Sequence, residues 1–219
     1  LLKYQTGSCK MSPSTSVVIV SVARTPIAKF CGSLSPLKAS ELGSVAIRGA
    51  LSKLSQDDLP VREVILGNVV SAGMGQAPCR QAVIYSGLPE STICTTINKV
   101  CASGMKSVMM AAQALQYQGG ASAMIAGGME SMSNIPHYLA NSRTGTTLGD
   151  GKLIDGVIHD GLWDLYNNQH MGMCAEKCAK DFSITREEQD SFTIESYRRA
   201  QKALEAGVFK EVVPVTVPQ

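Results

Sequence analysis

Residues 95–116 read TTINKVCASGMKSVMMAAQALQ, and their reading decides the fold. The first half is β-branched and apolar, the composition of a strand. It ends at Cys101. Ala102, Ser103 and Gly104 follow, all small, and then a run of methionine, alanine, leucine and glutamine with the composition of a helix. The chain therefore places a cysteine where a strand gives way to a helix. A helix N-terminus presents unpaired N–H groups and about half a positive charge, which favours an anion. A thiolate at such a point is stabilised, and the thiolate is the nucleophilic form of cysteine. The small residues after it leave room for a substrate, and the backbone N–H groups there are candidate donors to an acyl oxygen. The plainer reading is a small buried residue, a common role for cysteine.

Working outward, SVVIVSVA (16–23) reads as a strand buried on both faces, and VREVILGNVVSAG (61–73) as a second strand ending in glycine. RTPIAKFCGSLSPLK (24–38) is loop-like. ASELGSVAIRGALSKL (39–54) carries Leu42, Val45, Ala46, Gly49 and Ala50 at helical spacing, with Ser40 as candidate cap. QAPCRQAVIYSG (76–87) is a short helix with a glycine stop. The helix after Cys101 closes at Gly119 and Gly120, and ASAMIAGGMES (121–131) is a further apolar strand. Strands alternating with helices predict an α/β domain with a mostly parallel, mixed sheet flanked by helices. Ligands of such sheets collect at the carboxyl ends of the strands, where Cys101 and GGMES both lie.

The pattern changes after Met132. Residues 133–163 have no sustained period and read as an inserted, loop-rich subdomain. Residues 172–209 return to helical spacing, with a capping box from Thr185 to Glu188 and a stop at Gly207. KEVVPVTVPQ (210–219) is expected as a short strand. Residues 1–16 contain Lys3 and Lys10 but no acid, the first being Glu41. They read as an arm or the remnant of a mitochondrial transit peptide.

Composition bounds the function. The 219 residues are 44% hydrophobic and 17% charged, enough for a sizeable core, and the formal charge is +2. That balance argues against a nucleic-acid or membrane-surface partner, and no apolar run reaches the roughly 18 residues of a membrane span. Seven cysteines at irregular spacing read as free thiols in a reducing compartment. Cys174 and Cys178 share a helix face with only His170 nearby, too few ligands for a metal site. The glycines of AGGMES lack the spacing of a nucleotide fingerprint, and Gly127 and Gly128 are expected to keep a pocket open beside the cysteine.

NKVCASGMKS (98–107), AGGMESMSN (126–134) and HMGMCAEKCAK (170–180) together resemble the thiolase family. VVIVSVARTPIAKF, GQAPCRQA and EQDSFTIESYRRAQKALEAG fit it too, so the likeness runs in order from Val17 to the end of the chain. TTINKVCASGMK is worded like the mitochondrial members. The resemblance implies acyl transfer between coenzyme A thioesters: Claisen condensation of two acetyl-CoA molecules, or thiolytic cleavage of acetoacetyl-CoA. Cys101 would carry the acyl group as a thioester. It implies that His170 and Met171 line the acyl pocket and that Tyr197 lies by the bound coenzyme A and a potassium ion. His137 and His159 match no family role and read as structural or exposed.

The resemblance also implies domain limits: 1–16 an arm, 17–131 the half-domain bearing the nucleophile, 132–219 part of the coenzyme A-binding loop domain. Family chains are about twice as long. Their second half supplies a histidine in a GHP motif, a second cysteine and an asparagine, and none of these motifs occurs here. The expectation is therefore a thiolase N-terminal half that is inactive alone. The alternative is a non-catalytic, truncated isoform pairing with full-length subunits. A condensing enzyme acting on carrier-bound acyl groups is disfavoured by HMG and ARTPI. The family's homo-oligomers imply a dimer contact around GQAPCRQA and a tetramer contact in TGTTLGDGKLIDG (144–156). The expected compartment is mitochondrial, with a cytoplasmic form as the alternative.

Overall fold

The computed structural model describes residues 2–5, 16–54, 60–118 and 123–218. The expectations for Cys9, for most of the arm and for the helix stop at Gly119 and Gly120 lie outside the described residues.

The strand order is set by two apolar runs, residues 64–67 and 123–128. β3 (Val61–Gly67) pairs in parallel with β4 (Ile93–Ile97) on one side and β5 (Ala123–Gly128) on the other. Successive side chains of a strand point to opposite faces. Accordingly Val64, Leu66, Ala123 and Ile125 enter one core, with Ile47 of α1 (Ala39–Leu51) and Cys79, Ala82 and Val83 of α2 (Pro78–Ser86). Ile65 and Met124 enter the other, with Ala111 and Leu115 of α3 (Ser103–Gln118). The result is three layers, with α1 and α2 on one face of the sheet and α3 on the other. A strand buried on both faces has no polar position to spare, which is why these runs do not alternate.

The far side of the sheet differs from expectation. β1 (Leu2–Gln5) lies antiparallel between β2 (Ser16–Ile19) and β5, giving the order β2-β1-β5-β3-β4. Four residues of the expected arm are thus a sheet strand, and Leu2 joins the α3-side core. β2 is an edge strand and not one buried on both faces: Ile19 is 64% exposed. The sheet ends at β2, which pairs only with β1.

Two further local readings change. Ser40 does not cap α1. The cap residue is Lys38, two positions earlier, and the Glu41 carboxylate accepts the Lys38 N–H at 2.7 Å. Ser40 is buried against α2, donating its hydroxyl to Gln81 Oε1 at 3.2 Å. Residues 210–218 form no strand. Val212 makes a single bridge to Arg24, the Val213 N–H donates to the Arg24 carbonyl, and Pro214 then removes the next donor.

Past Met132 the chain forms two short ribbons, β6–β7 (His137–Leu139, Leu153–Asp155) and β8–β9 (Trp163–Asp164, Gln169–His170). α4 (Met171–Asp181) and α5 (Arg186–Glu205) follow. The capping box holds: Thr185 Oγ1 accepts the Glu188 N–H and Glu188 Oε2 accepts the Thr185 N–H. Gly207 ends α5 with φ +62°. No described helix is long and apolar enough to cross a membrane.

Leu2→Asp should expel β1, because a carboxylate would sit against Met124, Ala111 and Leu115 without a partner. A loss of about 2–3 kcal/mol in urea unfolding is expected. Hydrogen exchange should accelerate selectively in β2 and in the β1-facing amides of β5.

Candidate active site

Cys101 is exposed, in the turn between β4 and α3. The turn is held by its own polar side chains. Asn98 Oδ1 accepts the Val100 N–H at 2.8 Å, and Asn98 Nδ2 donates to the Val69 carbonyl at 3.1 Å. Ser103 Oγ accepts the Lys99 N–H at 2.8 Å and donates to the Val100 carbonyl at 2.6 Å. Val100 itself has φ +49°, a conformation that β-branched residues rarely adopt.

The helix behind the cysteine is seated by the absence of side chains. A Cβ on Gly67 would lie 2.5 Å from Ser103 Cβ and 2.9 Å from the Gly104 nitrogen. A Cβ on Gly128 would lie 3.4 Å from the Gly67 carbonyl oxygen and 3.5 Å from Gly104 Cα. The first turn of α3 therefore rests directly on the carboxyl ends of β3 and β5. Ser107 fastens it there, its hydroxyl 2.8 Å from the Gly127 carbonyl oxygen and 2.6 Å from that of Gly104. Gly128 thus serves close backbone packing beside the nucleophile. Gly67, which the sequence reading did not single out, makes the tightest approach.

The expected oxyanion donors are not free. The Ala102 N–H donates to the Lys99 carbonyl and the Ser103 N–H to the Val100 carbonyl. Turn closure and helix initiation consume the first amides after the cysteine, so an acyl oxygen must find its donors elsewhere.

Glu130, also missed at the sequence level, ties the neighbouring strand ends together. Its carboxylate accepts the Val69 N–H at 2.8 Å, the Val70 N–H at 3.4 Å and Asn68 Nδ2 at 2.9 Å. Burial pushes its pKa up, against the pull of those three donors. The Asn68 amide cannot be turned round, because Nδ2 faces two acceptors, Glu130 and the Met129 carbonyl. Its Oδ1 is left buried without a partner. The only sequence hint of this clamp is a lone acid following an apolar strand. Glu130 also borders a cavity of about 260 Å³ between residues 25–35 and 130–133.

The remaining candidates lie on other elements. His170 caps α4, its Nδ1 accepting the Gly172 N–H at 3.0 Å, and Met171 is the first residue of that helix. Tyr197 lies on α5 with 69% of its surface exposed. The elements packed on α3 are β5, β3, β1 and β2, so α3 receives no comparable contact from α4 or α5. His170, Met171 and Tyr197 thus lie on elements that do not pack to a comparable extent against α3, the helix that follows the cysteine's turn. His159 is half-exposed and paired with Asp160 at 2.7 Å, and the same carboxylate accepts the Tyr138 hydroxyl at 2.7 Å. Burial, then that hydrogen bond, pushes Tyr138 up to about 12. His137 is exposed.

The described residues contain no cluster of three or more His, Cys, Asp or Glu that would hold a metal ion. Around Tyr197 the flanking charges are the guanidiniums of Arg198 and Arg199, and both are bonded to Glu195.

Comparison with known proteins places this geometry. The profile of the thiolase N-terminal domain matches residues 17–219. The chain is 56% identical over 218 residues to the human mitochondrial acetyl-CoA acetyltransferase, covering 99% of this chain and 50% of that protein. It is 56% identical over 202 residues to acetyl-CoA acetyltransferase 2 of Arabidopsis thaliana, covering 92% and 50%. A cytosolic acetyl-CoA acetyltransferase of Gibberella zeae is 52% identical over the same length. Among solved structures, the Acat5 thiolase of Ascaris suum in complex with coenzyme A superposes with a TM-score of 0.83 at 46% identity, covering 89% of this chain and 50% of that one. The chain spans about half the length of the relatives it matches.

Gly67→Ala should cost about 2–3 kcal/mol in urea unfolding, since the new methyl group meets backbone and Cβ atoms that cannot rotate away. Glu130 gives a pH signature. A carboxyl whose folded pKa is raised binds more protons folded than unfolded between its ordinary value, 4.5, and the raised one. Its contribution is therefore present in acid and lost as pH rises through the raised pKa. Relative to Glu130→Gln, the parent chain should gain stability as the pH is lowered from 7 into that window. A parallel pH profile for the two would refute the assignment.

Proposed function

Because the chain belongs to the thiolase family, we propose that it is the nucleophile-bearing part of an acyltransferase that forms an acyl-Cys101 intermediate from a coenzyme A thioester. The observation that carries this reading is the placing of Cys101. It is exposed, at the carboxyl end of a parallel strand, on a turn seated against the ends of β3 and β5. In the transfer, the Cys101 sulfur attacks the thioester carbonyl. The new S–C bond forms, the bond from the acyl carbon to the coenzyme A sulfur breaks, and the proton given up by the Cys101 thiol ends on the departing thiolate. The second acyl group arrives, or leaves, by condensation or thiolytic cleavage of acetoacetyl-CoA. By the family resemblance, the base and the remaining oxyanion donors come from the second half of the fold. Loss of one partner of such a coupled pair removes orders of magnitude in rate. We therefore read the isolated chain as far below the turnover of a complete enzyme.

The proposed division assigns residues 17–131 to the nucleophile half-domain and 132–219 to part of the loop domain that contacts coenzyme A. His170 and Met171 are assigned to the acyl pocket and Tyr197 to coenzyme A, supported by the exposure of Met171 and Tyr197. The matched relatives include mitochondrial and cytosolic proteins. We assign this chain to mitochondria, with the cytoplasm as the alternative. We also propose a homo-oligomer, with dimer contacts near residues 75–82 and tetramer contacts in 144–156. A second reading, a non-catalytic module pairing with complete subunits, is favoured by the outer face of α3, where Met105 and Met109 are exposed.

Incubation with radiolabelled acetyl-CoA followed by peptide mapping should place one acetyl group on Cys101. The label should vanish in Cys101→Ala while the other cysteines stay unlabelled. Absence of label on Cys101 in the folded parent chain, with co-purification of a complete subunit, would establish the second reading instead.

A further inference from the structure

We infer that Asn98 is a positioning residue for the nucleophile, acting by pinning Val100 in the left-handed conformation that presents Cys101. This rests on the reading of Cys101 as the nucleophile. A β-branched residue with φ +49° is strained, and strain persists only where the surroundings over-determine it. Packing does not hold Val100, because its side chain is half-exposed. What holds it is its own peptide groups. The carbonyl is tied from the helix side by Ser103 Oγ and the Ser103 N–H, both of which belong to helix initiation. The N–H is tied only from the strand side, by Asn98 Oδ1 at 2.8 Å.

Asn98 is itself anchored. Its Nδ2 donates to the Val69 carbonyl, and the Val69 N–H donates to Glu130. The conformation before Cys101 is therefore referenced to the ends of β3 and β5, the elements on which α3 rests. Without the Asn98 side chain, Val100 is free to relax toward negative φ, which rotates the following peptide and swings the cysteine away from the helix axis. Glycine at position 100 would adopt the same φ without strain and would not need the clasp.

The test is the rate at which limiting iodoacetamide alkylates Cys101, by peptide mapping of the whole chain, relative to the exposed Cys31 and Cys178. In the parent chain Cys101 should react fastest of the three. Asn98→Ala should lower its relative rate about fivefold, the worth of one hydrogen bond. Adding Val100→Gly to Asn98→Ala should restore the parent ratio, since a glycine supplies the conformation unaided. A general structural role for Asn98, through Val69, would not be rescued by a change at position 100. An unchanged ratio in Asn98→Ala, or a loss that Val100→Gly fails to restore, overturns the inference. A parent chain in which Cys101 reacts no faster than Cys31 overturns the nucleophile reading beneath it.

Discussion

The close approach of α3 to the sheet at Gly67 is the constraint on which the rest depends. A helix normally stands off a sheet by the length of the side chains between them. Here the first turn of α3 sits where Gly67 has no side chain, with Gly128 and Gly104 completing a contact of backbone on backbone. That contact fixes the height of the helix N-terminus relative to the strand ends, and so the height of Cys101. Further along α3, the buried Ser107, Ala111 and Leu115 carry the packing. Ser107 bridges the two regimes with a hydrogen bond to the Gly127 carbonyl.

Polar groups at the strand ends do the complementary work. Backbone N–H groups at the carboxyl end of a sheet have no next strand to bond. Glu130 collects two of them and the Asn68 amide, at the cost of burying a carboxylate. Asn98 collects another on the nucleophile's turn. The two are linked through the Val69 peptide, whose N–H meets Glu130 and whose carbonyl meets Asn98. The turn that carries Cys101 is thus braced from both flanking strands, while the cysteine is left open.

The second part of the chain is built differently. α5 is solvated along nearly its whole length, with Phe192, Ile194, Tyr197 and Leu204 exposed, and its ion pairs to Glu195 lie at the surface, where such pairs contribute little. Its ends are nonetheless well specified, by the Thr185–Glu188 capping box and by Gly207. The chain returns to the first part through Arg24. There Glu211, the Phe209 ring and the Val213 N–H all meet one residue, and Gly49 makes room for Val213.

Residue identity alone determined what depends on nearest neighbours in the chain. The doubly apolar runs at 64–67 and 123–128 specify central strands, because no polar position can be spared on either face. Cys101 before three small residues marks the strand-to-helix junction, and the Thr185–Glu188 pair marks a helix start. Only the tertiary structure decided what depends on residues distant in the chain. Leu2–Gln5 becomes a strand because a gap one strand wide separates β2 from β5, which no local pattern announces. Ser40 is not the cap because the helix already begins at Ala39, and its hydroxyl is used against Gln81 of α2. Gly67 matters because a helix that begins 36 positions later lands on it. The Ala102 and Ser103 amides are withdrawn from the acyl site because the turn closes on itself. Pattern reads the periodicity of one segment, whereas contact, burial and the allocation of hydrogen bonds are properties of pairs.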